Sequence, residues 1–293
     1  MARSLVSWLV FPAVITGAVG GAIALMPAFG SATAVLIAQT VAVVAIVVLE
    51  HLLPHRPDWN RSNGDIRTDA IHAVVTGVAI ARLGRPFVQL AAAGVAAWLA
   101  GLVGFGLWPT AWPLVFQLAL GLVILELPQY WFHRWQHEHE ALWRFHAVHH
   151  SAPRLYWLNA ARFHPGDVLP LYVVGYLPLV ALGYPEDAFL LVAMFDAVFG
   201  MLQHANIDFR LGPLNRIFSM AEPHRWHHSR ELGEANSNYG SNLIVWDLVF
   251  GTFFVPPGAP REIGIADLPR FPAGYLAHLA TPFRWAAVRR ESA

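Results

Sequence analysis

A chain of 293 residues that is 56% hydrophobic, with a mean hydropathy of +0.45, is too apolar for an ordinary soluble domain and reads as a membrane protein. Its 19 basic and 19 acidic residues cancel, so nothing in the charge balance points to nucleic acid, and every basic residue is arginine. The absence of cysteine excludes disulfides, thiolate metal ligands, iron–sulfur clusters and cysteine nucleophiles, leaving histidine and carboxylate as the strong ligands.

Apolar runs at residues 5–26, 33–53, 87–106 and 112–132 each approach the roughly 20 residues a helix needs to cross a bilayer, which predicts about four crossings. The first run follows Arg3 and precedes small residues, as a signal peptide would. It is longer than a usual signal core and a second apolar run follows after a very short turn, so a retained helix is expected. The linkers 27–31 and 107–110 carry no charge, whereas 54–69 holds Arg56, Arg61 and Arg67, and Arg134, Arg144, Arg154 and Arg162 follow the fourth run. Arginine-rich short loops stay in the cytoplasm, which places both termini and every histidine cluster on that side.

Segment 70–81 is apolar but too short to span before Arg82 and Arg85, and is predicted to lie at the interface. Region 168–205 is broken by Gly183-Tyr184-Pro185-Glu186-Asp187, a strong turn signal, and predicts a hairpin that enters and leaves the membrane on one side. After residue 255 the chain is Pro-rich, then 275–290 is amphipathic, as in an interfacial helix covering the domain. No repeat or flexible linker divides residues 1–293, so one membrane domain is expected. The fold expected is all-α: a polytopic bundle with a membrane-dipping hairpin and a cytoplasmic, histidine-rich helical cap.

Of 15 histidines, eight fall in three clusters: His133/His137, His146/His149/His150 and His224/His227/His228. On a helix, residues three or four apart share a face, so each cluster aims two or three imidazoles at one point. His51, His55, His72 and His278 read as ordinary core or surface residues. Imidazole suits zinc, copper, iron and nickel. Eight histidines exceed what one metal holds, which implies two metals with open positions for a reactant, and a nitrogen-rich pair at a membrane face points to iron and dioxygen.

The strings Tyr130-Trp131-Phe132-His133-Arg134-x2-His137, Trp143-Arg144-Phe145-His146-x2-His149-His150-Ser151 and Pro223-His224-x2-His227-His228 carry a resemblance. With Arg162-Phe163-His164-Pro165, Asn238-Tyr239-Gly240 and Trp246-Asp247-x2-Phe250-Gly251-Thr252-Phe253, they make residues 112–255 resemble the membrane-bound fatty acid hydroxylase and sterol desaturase superfamily of non-haem di-iron enzymes. The resemblance implies a ninth ligand, His204. It implies a further histidine in some relatives where this chain has Asp208, which could ligate, orient a histidine or do neither. His164 fits a supporting or gating role better than ligation. The string His164-Pro165-Gly166-Asp167 is similar to a haem-binding turn of cytochrome b5, but no such domain surrounds it.

Metal-bound imidazoles donate their other N–H to a carboxylate or carbonyl. Glu126, Asp196, Glu222 and Asp247 are near enough in sequence to serve, with Asn238 a further supporting candidate; pairing of the acids with Arg134, Arg144 or Arg225 is the alternative. The resemblance implies O2-dependent hydroxylation, desaturation or demethylation of a fatty acyl, sterol, ether-lipid or carotenoid substrate. It also implies electrons from a ferredoxin or b5-type protein with its reductase, since the chain has no redox motif of its own. Trp131, Tyr156, Trp157, Phe195 and Phe199 either line a substrate channel or mark membrane interfaces. A zinc hydrolase using the same cage is the alternative reading. A metal transporter fits less well, because residues 33–48 and 87–106 hold no ionisable group.

Overall fold

The computed structural model describes residues 2–104 and 106–292; residue 105, inside the predicted 87–106 run, lies outside them. Among the described residues the regular structure is helical, without a β-strand. Helices α1 (Ala2–Phe29) and α2 (Ser31–Leu52) form a hairpin turned at Gly30, whose φ of 74° suits a residue without a Cβ. α3 (Ile66–Ala79) runs through a π-helical stretch, Ile80–Gly84, into α4 (Arg85–Val103). The segment 70–81 is therefore not a separate interfacial helix but the first half of one 38-residue apolar run, Ile66–Val103. The π turn lets that run pass close to a neighbour: a Cβ on Gly84 would meet Tyr172 at 3.0 Å.

α5 (Leu114–Glu138) is followed after a single extended residue by α6 (Glu140–His150). α7 (Pro165–Ala181) and α8 (Glu186–His204) are joined by the predicted turn, where Gly183 has a φ of 84°. Five runs are long and apolar enough to cross a membrane: Leu5–Phe29, Ser31–Leu52, Ile66–Val103, Leu114–Glu138 and Glu186–His204. The first, second and fourth match expected crossings, the third joins the expected 87–106 crossing to the segment before it, and the fifth is α8. Exposed Leu36, Val41, Val44, Val48, Val74 and Val78 give α2 and α3 apolar outer faces.

α9 (Ala221–His227), α10 (Leu232–Ala235) and α11 (Val245–Phe250) are short and lie beyond the long helices. α12 (Tyr275–Ala280) and α13 (Trp285–Ser292) complete the chain. Leu268, Trp285 and Val288 of this tail pack with Ala147 of α6 in a small second core, so the amphipathic tail covers the helix that carries three clustered histidines. The main core is built from α1, α2, α5, α7 and α8.

Two buried ion pairs brace the segment between α6 and α7. Arg154 Nε lies 2.8 Å from Asp65 and Arg162 Nε 2.6 Å from Asp69, with all four side chains at most 7% exposed. Glu50 of α2 accepts from the backbone N–H groups of Trp157 and Asn206, at 2.7 and 2.8 Å, tying that segment to the end of α8.

Candidate metal centre

Each histidine cluster sits at the end of a helix. His133 and His137 occupy the last turns of α5, His146, His149 and His150 the last turns of α6, His204 the last residue of α8, and His224 and His227 belong to α9, with His228 next to it. The i, i+3 and i+4 spacings put each set on one face, and the packing brings the faces together. All nine converge in two groups, His133/His137/His146/His150/His227 and His149/His204/His224/His228, with one nitrogen from each member within 4.8 Å of the others in its group. Neither α6 nor α9 contributes to one group alone: adjacent histidines on each helix point to different groups, so the two centres share walls. The rings of His150 and His228 stack across the boundary, 4.3 Å apart.

Hydrogen bonds fix the tautomers in the first group. His133 Nδ1 lies 2.7 Å from the Tyr239 carbonyl oxygen and His227 Nδ1 2.7 Å from that of Ser237. A carbonyl only accepts, so both Nδ1 atoms carry the proton and both Nε2 atoms present lone pairs. His146 Nδ1 faces Asp167 Oδ2 at 3.1 Å, and Asp167 also accepts from Gln136 Nε2. His137 Nδ1 faces Asn236 Oδ1 at 3.2 Å. The Nε2 atoms of His133 and His227 then stand 3.1 Å apart, and those of His133 and His146 also 3.1 Å apart. Facing lone pairs at that separation repel and are not hydrogen bonds; a cation among them turns the arrangement favourable. The donor set therefore fits a metal that prefers imidazole nitrogen.

The second group is less supported from outside. His204 Nδ1 faces Asn159 Oδ1 at 2.9 Å, which leaves its Nε2 free to face His224 Nε2 at 2.9 Å. His224 and His228 each have a buried Nδ1 without a hydrogen-bond partner, and His149 has at most a weak contact with the Arg162 backbone. The His149 ring instead stacks on Phe163, 4.3 Å away and nearly parallel. Burial holds His146, His149, His150, His224, His227 and His228 well below the usual imidazole range, so they are neutral and able to ligate at neutral pH.

The acids chosen from sequence sit elsewhere. Glu126 accepts from the backbone N–H groups of Ser241 and Asn242, and Asp247 accepts from those of Tyr239 and Gly240, both at 2.8 Å. Both hold the loop whose Tyr239 carbonyl orients His133, but neither touches a histidine. Asp196 bonds Tyr176 and Asn242; Glu222 bonds Leu211 N–H and Asn215. Pairing with arginine fails as well, since Arg134 and Arg144 lie against Glu138 and Glu140, and Arg225 donates to the Ala205 and Ile207 carbonyls. Loop amides compete for these carboxylates because they are fixed donors that would otherwise be buried unsatisfied.

Asn238, at φ 55°, bonds Pro223 and Phe254 and shapes the same loop. His164 caps α7 through the Gly166 N–H and stands outside both groups. Asp208 lies outside them too, accepting from Ser7 in a separate small cleft. Sequence reading missed Asp167, Asn159, Asn236 and the Ser237 and Tyr239 carbonyls. A signal for Asp167 lay in the His164-Pro165-Gly166-Asp167 string, where a Pro-started helix carries an acid in its first turn; backbone carbonyls leave no signal at all.

A cavity of about 640 Å³ reaches from His133, His146, His149, His204 and His224 down among α2, α3, α5, α7 and α8. Its walls are mostly apolar. The aromatic residues facing it are Phe163, Tyr172, Tyr176 and Phe189, and Trp131, Tyr156, Trp157, Phe195 and Phe199 are not among its lining. Phe195 and Phe199 stack on each other in the core instead.

A polytopic helical membrane protein with nine convergent imidazoles at the head of an apolar cavity defines a class of histidine-rich membrane proteins. Residues 118–252 match the family model described as fatty acid hydroxylase. The chain is 43% identical over 248 residues to the ornithine lipid hydroxylase OlsE of Rhizobium tropici, covering 84% of this chain and 73% of that one. It is 36% identical over 126 residues to the alkylglycerol monooxygenase of Homo sapiens, 42% of this chain and 27% of that one. With methylsterol monooxygenase 1-1 of Arabidopsis thaliana it shares 28% identity over 147 residues, 49% of each. No solved structure matches. The chain belongs to the fatty acid hydroxylase family, within the superfamily that includes sterol-oxidising members, and is an oxidoreductase.

Proposed function

We propose that this protein is a di-iron oxygenase that hydroxylates a C–H bond of a membrane lipid. The observation that carries the reading is the set of nine converging imidazoles, eight of them buried and seven with Nε2 facing Nε2, at the head of a cavity that extends among membrane helices. His133, His137, His146, His150 and His227 would hold one metal and His149, His204, His224 and His228 the other. Iron bound there would supply the reduction of O2, one oxygen atom entering the C–H bond and the other leaving as water, with two electrons and two protons from an external donor.

The protein contributes position and exclusion of water. The carbonyls of Tyr239 and Ser237, with Asp167, Asn236 and Asn159, hold the imidazole rings with their lone pairs inward. Apolar walls accept a lipid at about 0.8 kcal/mol per buried methylene. α2 and α3 both line the cavity and carry apolar outer faces, so a lipid would reach it from the bilayer side. The names of the similar proteins, two of them acting on polar or ether lipids, favour a lipid substrate. Arginine placement favours a cytoplasmic metal centre, with a ferredoxin or b5-type donor docking there.

Anaerobically purified protein, reconstituted with ferrous iron and a reductant, tests this. The expected result is two irons per chain and lipid-dependent oxygen uptake, with label from isotopic O2 in the product. Two zinc ions per chain with hydrolytic activity, and no oxygen uptake with any lipid, would overturn it.

A further inference from the structure

The first metal group touches a row of aromatic rings that leads out of the protein. Tyr239, whose carbonyl holds His133, also packs its ring on three histidines of that group, with ring centres 5.3 Å from His137 and 5.9 Å from both His133 and His227. Behind it stands Tyr130, 6.1 Å away, which meets Trp131 at 5.6 Å. Trp131 in turn meets Trp135 at 6.2 Å, and Trp135 is 46% exposed, so the row ends at the outer surface. None of these four rings lines the cavity. The second group has no such row among the described residues, because the rings packed on it are other histidines and Phe163.

Aromatic residues at a membrane face are common, but the hydroxyl of Tyr130 is placed for more than packing. Tyr130 is fully buried, its Oη lies 2.9 Å from Thr252 Oγ1, and Thr252 Oγ1 lies 2.7 Å from Asp247 Oδ1. An ionised carboxylate only accepts, so the Thr252 proton points to Asp247 and Thr252 accepts from Tyr130. The phenol proton therefore has a directed path, from Tyr130 to Thr252 to Asp247. Burial raises the Asp247 carboxyl to about 6, which leaves it ionised at neutral pH and able to take that proton. A phenol that loses an electron becomes a strong acid, so a ring whose proton has somewhere to go is the easiest of the row to oxidise.

We infer that Tyr130 is a redox-active residue, linked inward to the first metal group through Tyr239 and outward to an external one-electron donor through Trp131 and Trp135. It discharges an oxidant derived from O2 when no lipid C–H bond is within reach. Tyr130 loses one electron to that oxidant by way of the Tyr239 ring, and its phenol proton to Thr252 as the Thr252 proton moves to Asp247. An electron from the external donor, passed along Trp135 and Trp131, and the returning proton restore the phenol. The net change is one electron moved from donor to oxidant. Trp143 also meets His137, at 5.1 Å, but an indole has no hydroxyl proton to release along such a path. The oxidant, though not the relay, rests on the di-iron reading.

Flash photolysis of the full, metal-free chain in detergent tests the relay, using a ruthenium polypyridyl photo-oxidant with persulfate and detection by electron paramagnetic resonance. An exposed tryptophan is oxidised first, and a neutral tyrosyl radical is expected to follow. Tyr130→Phe should abolish that signal, and Thr252→Val, which keeps the ring and removes the proton path, should slow its appearance several-fold. A radical that stays on tryptophan, Trp143 included, a tyrosyl signal that survives Tyr130→Phe, or an unchanged rate in Thr252→Val would overturn the assignment. If Tyr130→Phe does not stay monodisperse, the Thr252→Val result decides. The inward link is read by mass spectrometry of iron-loaded protein held with O2 and a reductant but no lipid. Tyr130→Phe should raise oxidation of His133, His137 and His227 several-fold there, and equal damage would break the link. A Tyr130 radical without oxygen uptake by iron-loaded protein keeps the relay and removes the oxygenase reading. Lipid hydroxylation without a Tyr130 radical does the reverse.

Discussion

His149 and His227 belong to different metal groups, yet each adjoins a histidine of the other group, so neither change stays local. His149→Ala and His227→Ala are expected to abolish turnover and to lower the bound metal per chain; full metal content with activity in either variant would remove that residue from the ligand set. Asp167→Ala strips the acceptor from both His146 Nδ1 and Gln136 Nε2, and metal affinity should fall about 10- to 100-fold. Asp167→Asn should be milder, because Gln136 has an unpartnered Oε1 and can turn its amide to meet the new N–H. Competition against a calibrated chelator measures both. The depressed imidazoles also set a pH dependence. Below about pH 6.5 an unfolded chain takes up protons that the six histidines of α6 and α9 and His228 refuse while folded. The unfolded state binds more protons there, so stability falls as pH falls and levels off above that value. Melting midpoints in chelator across pH 5 to 8 should show that slope.

At the scale of elements, helix faces align the chemistry and the joining segments orient it. The segment between α6 and α7 carries Asn159 and Phe163, which support His204 and His149, and is itself held by Arg154–Asp65 and Arg162–Asp69. Removing one partner of a buried pair strands the other charge, at a cost of about 3–5 kcal/mol. Arg162→Ala should therefore lower the unfolding midpoint and loosen the second metal group more than the first; equal loss from both would contradict the link. The cavity face of α8 gives a separate test. Space opens beside Gly200, where a Cβ would meet nothing within 4 Å. Gly200→Phe should fill the cavity, cutting lipid turnover more than tenfold, roughly the loss expected when near-attack positioning fails, while metal content persists.

Over the whole molecule, the bundle supports the two metal groups unequally. Four histidines of the first group have Nδ1 hydrogen-bonded to a protein acceptor, against His204 alone in the second, where the Nδ1 atoms of His224 and His228 are buried without partners. Unpaired buried nitrogens cost about 1–3 kcal/mol each. Chelation should therefore release metal in two phases, one equivalent ahead of the other, and Asn159→Ala should hasten the early phase; single-phase release of both would count against the asymmetry.

Much of this was legible in one sequence. Apolar run lengths depend only on bilayer thickness and helical rise, and the three histidine clusters keep helical spacing, so the spans and eight ligand candidates follow from local rules. His204 has no clustered neighbour and emerged only through family resemblance. The carboxylates Glu126, Asp196, Glu222 and Asp247 have partners that the sequence does not show, because proximity along the chain does not say which donor will reach them first. The division of nine histidines into five and four, Asp167 beneath His146, and Asp196 on a cavity wall come from how α5, α6, α8 and α9 pack. Periodicity acts within one helix and is written in its residues. Which helix faces which is set by packing of the whole bundle, and only the tertiary structure decided it.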